Sequence, residues 1–170
     1  DANKSMLAAG KLSVENGAHI VTQQFLDSFL ILSGSGITFG LVIAMLFAAK
    51  SKQYKALGKV AAFPAIFNVN EPVVFGFPIV MNPVMFLPFI LVPILAAVVV
   101  YGSIAIGFMQ PFSGVTLPWS TPAIISGFMV GGWQGAIVQV IVLGISTLVY
   151  FPFFKFQDKL AYANELEAEK

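Results

Sequence analysis

Between residues 60 and 154 the chain is apolar almost without interruption, and Glu71 is its only charged side chain there. Residues 86–97 are apolar at every position, where a membrane β-strand would alternate apolar and polar side chains, so the pattern predicts helices. Residues 84–107 and 134–154 are each long enough to cross about 30 Å of hydrocarbon, the first bent in its early half by Pro88 and Pro93. The two intervening pieces read differently. Residues 60–83 carry Pro64, Pro72, Pro78 and Pro83 with Asn68, Asn70 and Glu71, and residues 111–132 carry Pro111, Pro118 and Pro122 with Trp119, Ser120 and Thr121. Neither is a continuous spanning helix. Both read as re-entrant hairpins, whose irregular tips survive at membrane depth only when buried in protein or lining a polar cavity. The expected fold class is therefore an all-α integral membrane protein, transmembrane helices with two re-entrant hairpins.

Upstream, residues 20–32 put Val21, Phe25, Phe29 and Leu32 on one helical face and Gln23, Gln24, Asp27 and Ser28 on the other, an amphipathic helix. The run Ser33-Gly34-Ser35-Gly36 breaks or kinks it before the apolar residues 37–49. Lysines flank these segments unevenly: Lys50, Lys52, Lys55 and Lys59 share one connection, and Lys155 and Lys159 follow the last span. By the positive-inside rule both places are cytoplasmic. The chain between them must then cross an even number of times, which two spans and two hairpins satisfy.

Composition removes several function classes. The chain is 58% hydrophobic and 10% charged, against about 25% charged in soluble domains, and its mean hydropathy is +0.87. Every basic residue is a lysine, so no guanidinium fork exists to read phosphates or bases, and no nucleic acid partner is expected. With no cysteine and one histidine, a disulfide framework, a Cys-ligated metal or a histidine cluster is excluded, and no cofactor or metal is expected. The polar residues 1–16 are no signal peptide and include no initiator Met, so the chain is expected to be a fragment of a longer protein.

The polar residues inside the apolar stretch are the candidate chemistry. A carboxylate at membrane depth costs about 2.5–3.5 kcal/mol on insertion scales unless solvated or paired, so Glu71 either caps a half-helix N-terminus or faces cytoplasmic water, or else it serves a ligand. The second reading is preferred. Asn68, Asn70 and Glu71 beside Pro72 form a compact set of donors and acceptors suited to an uncharged polyhydroxyl ligand. In Leu117-Pro118-Trp119-Ser120-Thr121-Pro122 the indole could stack on a pyranose ring while the hydroxyls bond the sugar's own; the alternative for Trp119 is an interfacial anchor, the role given to Trp133. His19 reads as a solvated loop residue. Gln23, Gln24 and Asp27 either line the site or bond neighbouring helices, and Glu165, Glu167 and Glu169 read as a solvated end.

At these residues the chain resembles enzyme IIC, the permease component of the lactose/cellobiose/chitobiose family of the bacterial sugar phosphotransferase system, in its C-terminal part only. The resemblance runs from Ile20-Val-Thr-Gln-Gln-Phe-Leu-Asp-Ser-Phe through Ser33-Gly-Ser-Gly, Ile66-Phe-Asn-Val-Asn-Glu-Pro-Val-Val-Phe-Gly-Phe-Pro-Ile-Val-Met-Asn-Pro and Pro118-Trp-Ser-Thr-Pro-Ala-Ile-Ile-Ser-Gly-Phe. It implies a polar leading segment over 1–19 continuing from a missing N-terminal domain, a membrane-embedded substrate-binding domain over 20–154, and a cytoplasmic C-terminal tail over 155–170. It further implies a disaccharide substrate, Glu71 in the catalytic role near the hydroxyl destined for phosphorylation, and Trp119 as the aromatic platform. The phosphoryl donor would be a phosphocysteine on a partner, enzyme IIB, so this chain is the membrane subunit of a sugar phosphotransferase. A homodimer through the missing domain, contact with membrane lipid and a place in the bacterial plasma membrane complete the picture. Two departures stand out: Ser33 opens a run that begins with glycine in the family, and the family's His-Gly motif, expected upstream, is absent.

A rival reading is a proton-coupled secondary transporter with Glu71 as the proton carrier. A purely structural scaffold is the third, and leaves Asn70, Glu71 and Trp119 unexplained.

Overall fold

The structure, a computed structural model, describes residues 2–168. These residues form helices, turns and irregular segments, with no strand among them. In chain order the helices are α1 (Ala2–Ala8), α2 (Gln23–Phe25), α3 (Phe39–Ala48), α4 (Lys52–Ile66), α5 (Glu71–Gly76), α6 (Pro83–Ala105) and α7 (Ile125–Ala168), joined by short 3₁₀ and π turns.

α6 and α7 are long and apolar enough to cross a membrane, and the bent pair Gln23–Ile37 with Phe39–Ala48 counts as a third crossing if taken as one broken span. Asn82 starts α6 by accepting hydrogen bonds from the Val84 and Met85 amides, with Pro83 in the first helical turn, where its missing N–H costs nothing. Along α6, Met85, Val92, Ala96, Val100 and Ile104 are buried, while Leu87, Ile94, Val98 and Tyr101 are exposed. A helix apolar on both faces suits a lipid surround on the side the protein leaves open.

α7 is two helices in sequence. Gly131 and Gly132 have non-helical dihedrals, Gly132 at φ 65° and ψ −160°, a conformation that rarely admits a side chain. The chain reverses there, bringing Gly127 back onto Gly135 so closely that a Cβ on Gly135 would lie 2.3 Å from the Gly127 carbonyl oxygen. The longer helix, residues 133–168, then buries one stripe: Val138, Val142, Ser146, Tyr150, Phe154 and Asp158 at four-residue steps. α3 packs against this stripe, with Gly40 pressed on Ser146.

The first hairpin starts earlier than the apolar pattern suggests. α4 begins at Lys52, so Lys52, Lys55 and Lys59 ride its exposed face instead of forming a loop. Ser51 caps it by accepting from the Tyr54 amide, and the Lys-Gln-Tyr-Lys-Ala sequence that follows contains mostly good helix formers. Asn68 ends it in the left-handed conformation, φ 63°, with its amide bonded to the Ala65 carbonyl and the Val69 amide to that of Pro64. This paired arrangement is a Schellman stop, and asparagine is one of the few residues that adopts it at low cost. α5 then returns, and the open end of the hairpin is closed by Tyr54 stacking on Phe77 at 4.4 Å, with Phe154 edge-on to Tyr54.

The end beyond Phe154 corrects the reading of a solvated tail. α7 continues unbroken to Ala168. Asp158, 2% exposed, accepts from the Lys50 amide at 2.8 Å and from the Ser51 amide and hydroxyl at 3.0 and 2.8 Å. Two turns on, Glu165 accepts from the Lys52 and Gln53 amides at 2.9 and 3.0 Å. Carboxylates here satisfy the orphan donors at the start of α4, where the helix dipole favours them. Glu167 is exposed, and Glu169 lies outside the described residues. The two lysine-bearing segments therefore meet at one end of the bundle.

Candidate functional site

The break after α2 builds one wall of the site. α2 starts at Gln23 behind a Thr22 cap and widens into a π turn over Leu26–Leu30. Phe25, Phe29 and Leu32 are buried as the amphipathic pattern requires, whereas Val21, ahead of the helix, is 60% exposed. Ser33, Gly34, Gly36 and Ile37 all have positive φ. Gly34, at φ 83°, is required twice over, because a Cβ there would also lie 2.4 Å from the Asn70 carboxamide carbon. Carbonyls freed by the break are met by α7: Ser146 donates its hydroxyl to Ile37 and Tyr150 donates to Gly36 at 2.8 Å. Irregular backbone inside an apolar bundle is held in this way. Ser33 turns its hydroxyl to the Ala65 carbonyl at 3.3 Å.

Asn68 joins three segments. Its Oδ1 accepts from the Ser33 amide at 2.7 Å, and its Nδ2 donates to the Trp119 and Thr121 carbonyls at 2.7 and 2.9 Å. Both amide protons are thus engaged by backbone, and the tip of the first hairpin is fixed to the tip of the second. Asn70, 7% exposed, donates to the Ser35 carbonyl at 2.7 Å. Glu71 opens α5 and is exposed, with no hydrogen bond among the described residues.

The second hairpin has an extended limb, a turn and a helical limb. The turn closes through the Thr121 amide and hydroxyl, both donating to the Pro118 carbonyl, at 3.0 and 2.7 Å. Trp119 projects from it, 72% exposed, and Ser120 is half-buried beside it. The helical limb is held from behind by Gln139, which is 0% exposed. Its Oε1 accepts from the Ile124 and Gly127 amides and its Nε2 donates to the Ser28 carbonyl at 2.7 Å and the Ser126 hydroxyl at 2.9 Å.

Between these parts lies a cleft of about 40 Å³ walled by Gln24, Asp27, Ser28, Asn68, Trp119, Thr121 and Ser126 together with residues 115–118. That volume suits a water or two, so a larger ligand would rest on its mouth, where the indole stands. Gln24 and Asp27 line it; Gln23 donates to both Asp27 carboxylate oxygens at 2.9 Å. Asn70, Glu71 and Ser120 are not in its wall. A second cavity of about 310 Å³ adjoins it through Gln24 and Thr116 and includes His19, Lys4 and Gln23. The backbone of His19 is anchored by Asn3, which also donates to the Phe112 carbonyl at 2.9 Å, so the polar leading segment is fastened to the second hairpin.

Sequence reasoning missed Gln139, Asp158 and Glu165. A glutamine within an apolar span is costly enough to demand a partner, and carboxylates seven residues apart share a helix face; those were the available signals.

Discontinuous helices meeting tip to tip between apolar spans define a helical membrane protein with an irregular polar centre. The chain belongs to the EIIC family of the phosphotransferase system: the family model described as Phosphotransferase system, EIIC matches residues 1–93. It is 44% identical to the lichenan permease IIC component of Bacillus subtilis (strain 168), over 98% of this chain and 37% of the relative. It is 46% identical to the cellobiose-specific EIIC component of Geobacillus stearothermophilus, over 86% of this chain and 33% of the relative. Among solved structures, the crystal structure of ChbC, the IIC component of the N,N'-diacetylchitobiose-specific phosphotransferase system, superposes with a TM-score of 0.90 at 38% identity, covering 97% of this chain and 38% of that one. The chain thus spans less than two-fifths of the length of these relatives.

Proposed function

We propose that the chain is the sugar-holding part of a phosphotransferase-system permease, binding a disaccharide of the cellobiose, chitobiose or lactose class and presenting it for phosphorylation by the phosphocysteine of enzyme IIB. The observation that carries this is the Asn68 bridge. It brings the Asn-Glu-Pro and Pro-Trp segments to one place while leaving the Glu71 carboxylate and the Trp119 indole unengaged. In this reading Trp119 stacks on a pyranose ring, Ser120, Thr121 and Asn70 bond hydroxyls, and Glu71 takes the hydroxyl to be phosphorylated. Asn68 acts by holding the two tips together as much as by meeting sugar. The membrane-embedded unit is residues 20–154, and dimerisation belongs to the part of the protein ahead of it. Nothing observed favours the proton-coupled alternative.

The test is sugar-phosphate formation in vesicles containing the full-length permease. It should require phosphoenolpyruvate and enzyme IIB and survive an uncoupler; uncoupler-sensitive uptake of unmodified sugar would refute the proposal. Trp119→Ala should weaken disaccharide binding by about 1–3 kcal/mol, a magnitude taken from base stacking on aromatic side chains, and Trp119→Phe should lose less. A binding titration on purified, folded protein checks this, and unchanged affinity in the Ala variant removes Trp119 from the site.

The proposal also places both lysine-bearing segments, and the C-terminus, in the cytoplasm. A cysteine at Lys55, exposed on α4, should react with an impermeant thiol reagent from the cytoplasmic side only. Labelling from outside inverts the orientation.

A further inference from the structure

A cavity of about 520 Å³ opens at the end of α7 beyond its apolar part, bounded by Lys50, Lys155, Phe156, Asp158, Lys159 and Tyr162. Its position follows from length: the apolar residues 134–154 are enough to cross the hydrocarbon, so the residues immediately after them stand at the headgroup level. Its wall is mainly carbon, from the Phe156 and Tyr162 rings and the lysine stems. Three of its bounding residues are lysines. Asp158, the carboxylate on the wall, is already committed to the Lys50 amide and to Ser51. Among the described residues no ion pair engages Lys50, Lys155 or Lys159, and Lys155 lies over the Phe151 ring at 5.4 Å.

We propose that this cavity holds one anionic phospholipid, with its phosphate among Lys50, Lys155 and Lys159 and the upper part of an acyl chain against Phe156 and Tyr162. Charge selects the headgroup, because three ammonium groups around one phosphodiester favour a net-negative lipid over a zwitterionic one. The apolar wall selects a lipid over a free anion, which would gain nothing from the aromatic rings. The site is separate from the sugar cleft and does not depend on the sugar assignment. Because Lys50 sits beside the start of α4 and Lys155 and Lys159 on α7, the lipid would bridge the same two helices that Asp158 and Glu165 join.

The full-length permease, stripped of lipid and reconstituted in nanodiscs of equal parts phosphatidylglycerol and phosphatidylcholine, provides the test, with retained lipid read by native mass spectrometry. Phosphatidylglycerol should be retained selectively, with retention falling about fivefold for each of Lys50→Gln, Lys155→Gln and Lys159→Gln. Arginine at the same positions should preserve it, and inorganic phosphate should not compete. Equal retention of the two lipids, no loss in the glutamine variants, or displacement by inorganic phosphate each overturns the proposal. So does a cavity that retains no lipid because another part of the longer chain fills it. If one glutamine variant fails to fold, the other two single substitutions still carry their own expected loss.

Discussion

Glu71→Gln is expected to leave the protein folded and inserted while lowering sugar-phosphate formation about 10- to 100-fold. The two halves of that expectation have separate causes. Glu71 is exposed and bonds nothing among the described residues, so the fold draws on it only through the favourable placement of a negative charge in the first turn of α5, about 0.3–1 kcal/mol. The amide keeps shape and volume, and stability should shift by no more than that. A hydrogen bond to a charged acceptor, however, contributes about 1.5–3 kcal/mol, and the neutral amide forfeits most of it at the sugar hydroxyl. Phosphoenolpyruvate-dependent product formation, measured beside thermal stability, distinguishes the outcomes. Wild-type rates in a well-expressed variant would remove Glu71 from the site, and a collapse of stability would make it structural.

Asn68→Ala is expected to have the larger structural effect, about 3 kcal/mol. It leaves the Ser33 amide and the Thr121 carbonyl, both partly buried, without partners, and frees the Trp119 carbonyl. Alanine must also occupy φ 63° without the local hydrogen bonding that eases asparagine there. The prediction is a lowered melting temperature together with lost sugar affinity, although α6 and the long part of α7 still form. Asn68→Gly relieves the backbone but restores none of the three bonds, so it should recover some stability and little binding. Wild-type affinity in Asn68→Gly would mean that the two tips are held together by other contacts.

How much was legible beforehand depends on the distance over which each feature is decided. The spans over 84–107 and 134–154 match α6 and the apolar part of α7, because burial in lipid is written in the composition of one continuous segment. Proline marked both tips for the same local reason, joined by asparagine in the first and by Trp119, Ser120 and Thr121 in the second. The Asn68 network was not readable, since its partners lie 35 to 53 residues away and a carboxamide carries no mark of whether it faces ligand or backbone. Gln139 is similar: its partners on the second hairpin and at Ser28 are 12 to 111 residues distant. The start of α4 was placed too late because lysines were weighed as loop charges, when the Ser51 cap and the distant Asp158 and Glu165 make a helix of them.

The second helix of α7 carries Gln139 near one end and Asp158 and Glu165 near the other, fastening the second hairpin and the base of the first. Those anchor points are separated by 19 residues, about 28 Å of continuous helix, and their relative bearing is set by residue count alone. Deleting or inserting one residue between 140 and 157 would shift one anchor by about 1.5 Å and turn it by about 100°, swinging Asp158 away from Ser51. Apolar substitutions on the lipid side of the same stretch change neither quantity. Over this interval the molecule is indifferent to much of its spelling and intolerant of any change in its length.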